Sequence, residues 1–338
     1  MSEIPSGAMR FNSDSQKLEY WNGSAWFQVH TATPNLASAG DRQPGARGLF
    51  GGGYAPGSVN TIDYINISST GNAQDFGDLI TAQSFNSSCS SSTRGLFSGS
   101  FPLSNTIEYV TISSTGNAQD FGDLTTPVES NTGTSNSTRG IFAGGIYNGP
   151  LGLQSYNTID FITISSTGNA QDFGDLVDRY RQVGACASST RGVFAGGRFQ
   201  SPTTFDVNVI QYITIATTGN AQDFGDLNKN VMQQGGCSNS TRGLFGGGFI
   251  SPTYTNDIDY IIISTLGNSQ NFGDLSVSRS PSSCSSSTRG IWAGGVSIGN
   301  TNTIDYVTIL TQGNAVDFGD LTQARHGLSA CSNAHGGL

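Results

Sequence analysis

The chain is poor in charge, in histidine and in long apolar runs. Only 12% of its 338 residues are charged, and the formal balance is -9. Binding to nucleic acid draws on Lys and Arg that neutralise phosphates, so no nucleic-acid partner is expected. No run of about 18 apolar residues occurs, so no membrane insertion is expected. The opening MSEIPSGAMRF lacks a basic stretch leading into an apolar one, which argues against a secretory signal. The histidines are His30, His326 and His335, too few and too scattered for a metal centre or an acid–base pair. No CxxC spacing occurs among Cys89, Cys186, Cys237, Cys284 and Cys331, so zinc is not expected. These cysteines stand five residues before Arg94, Arg191, Arg242, Arg289 and Gly336. Thiols related by a repeat do not face each other as disulfide partners, so each is expected as a small buried residue.

Glycine is abundant, at 46 residues, and so are Ser and Thr. With β-branched residues between them, this composition suits a turn-rich all-β protein. The sequence STGNAQDFGDL occupies 69–79 and returns at 114–124 and 166–176. Altered copies stand at 217–227, 265–275 and 311–321. Before each copy lies a marker such as TRGIFAGG, whose arginines are Arg47, Arg94, Arg139, Arg191, Arg242 and Arg289. Their spacings of 47, 45, 52, 51 and 47 residues are those of propeller blades rather than of a helical solenoid. Each repeat divides into four short strands: a Ser- and Cys-rich one, a GLF or GIF strand ending in glycines, a β-branched one such as TIDYINI, and AQDFGDL.

The repeat resembles the kelch family. The diglycine expected after the second strand is Gly144-Gly145, Gly196-Gly197 or Gly294-Gly295. The third-strand aromatic is Tyr64, Tyr109, Phe161, Tyr212, Tyr260 or Tyr306. The fourth-strand aromatic is Phe76, Phe121, Phe173, Phe224, Phe272 or Phe318, where kelch repeats usually carry Trp. The resemblance implies an all-β fold, a six-bladed β-propeller of four-stranded kelch-like blades over 47–338. Residues 322–338 copy the first strand alone, and they are expected to supply the inner strand that closes blade one.

Alternating strands place the near-identical SSSTRG and SSTGNAQ turns on one face. Segments of differing length fall on the other, where binding groups are expected. Ligand contacts are expected from Tyr54, Phe101, Tyr147, Phe199, Phe205, Phe249 and Tyr254, with Arg179, Tyr180 and Arg181 beside them. Aromatic rings among Asn, Ser and Thr suit a glycan or a protein surface, and they equally suit core capping or contact with another subunit. The repeated arginines and the GDL aspartates Asp78, Asp123, Asp175, Asp226, Asp274 and Asp320 are expected in structural pairing and turns. The DxGD spacing guarantees too few oxygens for calcium, so no metal and no cofactor are expected. Gly295-Val296-Ser297-Ile298-Gly299 fits GxSxG, with Asp305 and His326 following. It lies in a loop between strands, with no helix behind it, so no catalytic residue is assigned and no enzyme is expected.

The first thirty residues form a separate element, expected as a β-hairpin attachment element over 1–30 followed by a linker over 31–46. Residues Gly7, Arg10, Phe11, Asn12, Asp14, Leu18, Glu19, Trp21, Asn22, Gly23 and Trp26 give it a pattern similar to short hairpins of tailed-phage fibres. Phe11, Trp21, Trp26 and Phe27 are its expected attachment residues. The resemblance implies a bacteriophage virion protein, of tail-fibre, tail-tip or surface-adhesin type, docked on other virion proteins through residues 1–30 and repeated as a homo-oligomer. Host glycan or envelope protein would be its target. A decoration or cement protein without a host ligand, and an intracellular kelch-like adaptor, are the alternatives.

Overall fold

The computed structural model describes residues 4–5, 7–12, 17–28, 46–149, 152–200 and 203–338. His30, Asp14 and the linker other than Ala46 lie outside them. Two compact units are present, Met1–Pro44 and Gly45–Leu338.

In the first unit, Met9–Asn12, Lys17–Trp21 and Trp26–Gln28 form a three-stranded antiparallel sheet. Alternation sorts its side chains. Met9 pairs with Tyr20, Tyr20 with Phe27, and Phe11 with Leu18, so these five share one face, and all five are exposed. Arg10, Glu19, Trp21 and Trp26 lie on the other face. There Arg10 binds Glu19 at 2.9 Å and lies over the Trp26 ring at 4.2 Å, while Trp21 and Trp26 touch at 5.5 Å.

In the second unit each repeat forms one four-stranded antiparallel sheet. The first joins Ser329–Ser332, Arg47–Gly51, Val59–Asn66 and Gln74–Gln83 in that order. The innermost strands of the other five are Ser87–Ser90, Thr132–Ser135, Gly184–Ala187, Gly235–Ser238 and Ser280–Ser285. Leu49, Phe50, Ile62 and their equivalents are fully buried and make the cores between sheets.

The expected fold class, a kelch-like six-bladed propeller with a ring closed by strand pairing, is corrected on this point. Among the described residues the strand pairing gives ten small antiparallel sheets of two to four strands, arranged sequentially, and none of them closes on itself into a ring or barrel. The physical reason is that ladder hydrogen bonds remain inside each four-stranded sheet, in the first of which Ser329–Ser332 pairs with Arg47–Gly51, while neighbouring sheets are joined by turns and side chains. Repeat period counts repeats and does not reveal how they are joined. Three segments treated as loops also pair into two-stranded sheets of their own. These are Ile146–Gly149 with Gly152–Ser155, Arg198–Gln200 with Thr204–Asp206, and Phe249–Ile250 with Thr253–Tyr254.

The joint between repeats explains the eleven-residue sequence. The Gly116 amide donates to the Phe76 carbonyl at 2.8 Å, the Ala118 amide to the Asp78 carbonyl at 2.8 Å, and the Asp78 amide to Asn117 Oδ1 at 3.1 Å. Thus the TGNA of one repeat grips the FGD of the one before. The same bonds recur at each junction, and Gly71, Asn72 and Ala73 grip Phe318 and Asp320 of the last repeat. Gly77 has φ +142°, and a Cβ there would stand 2.5 Å from the Gly116 carbonyl oxygen. The arginine markers add a second joint. Arg47 lies over its own Tyr64 ring at 4.9 Å and donates to the Ile112 carbonyl of the following repeat at 2.9 Å.

A third joint is buried. A carboxylate or amide on each third strand, such as Asp63 or Asp305, accepts from the residue after the GDL leucine of the preceding repeat, here Thr322 or Ser276. In two repeats it also pairs with a fully buried arginine, Arg325 to Asp63 at 3.1 Å and Arg279 to Asp305 at 2.8 Å. Losing one partner of such a pair strands a charge, at a cost of about 3–5 kcal/mol.

Gly77→Ala and Gly71→Ala separate geometry from contact. Both positions have positive φ, at +142° and +153°, but nothing stands within 4 Å of a Cβ at Gly71. Urea denaturation is expected to show a loss of about 1–2 kcal/mol for Gly71→Ala, and about 2–4 kcal/mol for Gly77→Ala.

Candidate ligand-binding face

The variable segments of the second unit collect the expected aromatics into hairpins. Antiparallel register sets Phe199 opposite Phe205 and Phe249 opposite Tyr254, with ring centroids 5.1 Å apart in both pairs. Tyr147 meets Tyr156 at 4.9 Å. Such cross-strand pairs stabilise two-stranded ribbons that are otherwise marginal. Arg198 ties the hairpins together. Its guanidinium binds Asp206 through two bonds of 2.6 and 3.1 Å and lies 6.0 Å from the Phe249 ring, and its carbonyl accepts from Ser155 Oγ at 3.5 Å. Phe205 is 49% exposed and Phe101, on the second repeat, is 50% exposed. Tyr54 is also exposed, and its ring lies tilted against His326 at 5.4 Å, whose Nδ1 lies 2.7 Å from Asn300 Oδ1.

The residues expected beside them divide. Arg179 is exposed, with its amide on Asp178 Oδ1 at 2.7 Å. Arg181 is partly buried, and burial together with nearby Arg198 lowers its pKa. Tyr180 belongs to the core instead: it is 6% exposed, packs with Val183 and Leu176, and burial raises its pKa. It stands four residues after the GDL leucine, a slot that holds Val128, Val231 and Arg279 in other repeats. On the first unit, Phe11 and Phe27 lie on the exposed face, and Trp21 and Trp26 on the opposite one.

A feature missed in the sequence lies among these loops. Phe85, Ser130, Gln182 and Gln233 have φ between +53° and +59°, and Gly327 has φ +60°. Each stands four residues before the cysteine position of its repeat. Their backbones pass hydrogen bonds from one to the next: Phe85 N–H to the Gly327 carbonyl, Ser130 to Phe85, Gln182 to Ser130, and Gln233 to Gln182, at 2.6–2.9 Å. They line a cavity of about 170 Å³ at the ends of the innermost strands. Residue type varies at this position, so only its register was readable.

Below it, a smaller cavity of about 50 Å³ is lined by the innermost strands and His335. Serine hydroxyls satisfy the free edges of these strands. Ser135 Oγ donates to the Ser90 carbonyl at 2.7 Å, Ser285 Oγ to Ser238 at 2.7 Å, and Ser90 Oγ to Ser332 at 2.7 Å. The cysteines are free and buried, and their sulfurs sit against the RG glycine of a neighbouring sheet, as Cys331 against Gly95. His335 Nε2 lies 3.1 Å from the Ser90 carbonyl and 3.3 Å from Ser135 Oγ.

The residues that follow the GxSxG match are engaged by other groups. Val296 ends a strand, Asp305 is held by Arg279, and His326 faces Asn300, Tyr54 and Phe85. Among the described residues, no group of three or more His, Cys, Asp or Glu is placed to hold a metal. No family model matches the chain, and no curated protein matches it either. The likeness to kelch repeats is therefore withdrawn. The third- and fourth-strand aromatics that suggested it pack edge to face within each sheet, as Tyr64 on Phe76 at 5.9 Å.

Burial lowers the His335 pKa from its ordinary 6.5, against a smaller upward pull from the Ser90 carbonyl. Its contribution to stability is present above pH 6.5 and is lost as pH falls below 6.5 and through the lowered folded pKa. Burial raises the carboxyls Glu108, Glu129 and Asp160, whose contributions are lost as pH rises from the ordinary carboxylate range. The difference between wild type and His335→Gln isolates the histidine. Thermal melts at pH 7.5 and pH 5.5 are expected to show a smaller fall for the variant.

Proposed function

We propose that this chain is a non-catalytic attachment protein of a bacteriophage particle. The first unit joins it to another structural protein of the virion, and the hairpin face of the second unit contacts the host surface. The observation that carries this reading is the row of three adjacent hairpins, two with the cross-strand pairs Phe199–Phe205 and Phe249–Tyr254 and the third with Tyr147 against Tyr156, tied by Arg198. Aromatic rings held by a rigid framework contribute contact area at low entropic cost, and they dominate binding surfaces. The exposed face of Met9, Phe11, Leu18, Tyr20 and Phe27 gives the first unit an apolar surface suited to a partner. The virion assignment comes from the residue pattern at 7–26, and repetition in a homo-oligomer would multiply weak host contacts.

The test uses particles that carry the chain. Deletion of residues 1–28 is expected to remove it from the particle. Phe199→Ala with Phe205→Ala is expected to leave incorporation intact and to lower adsorption to cells about tenfold. Unchanged adsorption would overturn the host-contact role, and it would favour decoration of the particle instead.

A further inference from the structure

We infer that the 170 Å³ cavity ringed by Phe85, Ser130, Gln182, Gln233 and Gly327 is a binding pocket for one uncharged sugar residue. The inference deepens the host-surface reading and rests on it.

Size sets the first limit. At roughly 10–15 Å³ of such space per water, the cavity holds on the order of a dozen small atoms, which is the size of one hexose. It is smaller than the roughly 300–1,000 Å³ typical of sites for larger ligands.

Chemistry sets the second. The lining contains Ser, Thr, Asn, Gln, backbone and a few apolar side chains, with no Lys, Arg, Asp or Glu, and its one imidazole, His326, is biased by burial toward the neutral form. A phosphate, carboxylate or amine would leave water without a counter-charge, whereas hydroxyl groups find neutral donors and acceptors. Phe85 supplies an apolar ring, held edge-on to His326 at 5.6 Å. A pyranose has the same duality, with an apolar face of C–H groups and a polar edge.

Unspent hydrogen-bonding capacity is the third observation. Four lining residues carry buried side-chain atoms without a partner in the protein: Asn86 Oδ1, both amide atoms of Asn131, Gln182 Oε1 and Ser329 Oγ. Buried polar atoms are normally satisfied, and a cluster of such atoms around one space marks a place for a polar occupant. The rim is also preorganised. Four non-glycine residues held at positive φ carry strain of a kind that concentrates at functional sites.

The experiment is a titration of the full chain with glucose, galactose, mannose and N-acetylglucosamine, followed by NMR saturation transfer. Gln182→Gly and Ser329→Ala are compared with wild type. Gln182→Gly removes a carboxamide whose Oε1 lacks a partner, at φ +55°, which glycine adopts readily, and Ser329→Ala removes a hydroxyl without a partner. Both variants should therefore fold. The expected result is binding of at least one sugar with a millimolar dissociation constant, weakened about fivefold or more in each variant. No binding by any of the four sugars, or binding that both variants leave unchanged, overturns the inference. Host adsorption that survives in Gln182→Gly particles but falls with Phe199→Ala and Phe205→Ala overturns the pocket while leaving the host-contact reading in place.

Discussion

The grip of one TGNA turn on the FGD of the preceding repeat is the constraint on which the second unit depends. A lone four-stranded sheet of this kind leaves two edges and two apolar faces uncovered, and the faces must be buried against neighbours. The turn supplies two backbone hydrogen bonds and one from an asparagine side chain at each junction. It also fixes the distance at which Ile, Leu and Phe from adjoining sheets interdigitate. Because a Cβ at Gly77 would meet a carbonyl oxygen, the approach is closer than any other residue allows. The eleven residues are repeated because each copy is both the grip for one neighbour and the handle for the other.

The innermost strands solve a different problem with the same economy. Their outer edges carry backbone groups that no ladder reaches, which is normally a liability. A hydroxyl of one strand donating to the carbonyl of its neighbour removes that liability. The relay has a gap at Ala187, which has no hydroxyl to give to Ser135. At that place the C-terminal residues cross. The Gly336 amide donates to the Ser238 carbonyl at 3.0 Å, and Gly337 leaves no room for a side chain against Ser135. The tail and the missing serine are thus two parts of one arrangement.

Much of this was legible before any coordinates. The repeat register and the four strands follow from pattern and turn chemistry, whereas the GDL aspartates enter the junctions through their backbone amides and carbonyls. How the repeats join was not legible, because identical residues at every junction give no clue to which copy grips which. Tyr180 reads as surface beside Arg179 and Arg181, yet its repeat position is buried in every sheet, whether Gln83, Val128, Val231, Arg279 or Arg325 stands there. Trp21 and Phe27 were grouped by type, but the pairing of Tyr20 with Phe27 puts them on opposite faces. The left-handed residues around the cavity share a conformation and no side-chain chemistry, so composition could not announce them.

The contrast between the two faces follows from the grip itself. Each TGNA and FGD must keep its glycine, asparagine and backbone geometry, so the face that bears these turns is held nearly constant from repeat to repeat. On the opposite face the demand is limited to backbone, at the left-handed positions around the cavity, and the segments between the second and third strands leave the sheet after their ladder bonds are complete. They are free to lengthen into hairpins, as in the third, fourth and fifth repeats, or to remain short, as around Phe101. Variation is therefore confined to the face that carries the aromatic pairs and the cavity. A molecule assembled this way can change what it contacts without altering what holds it together.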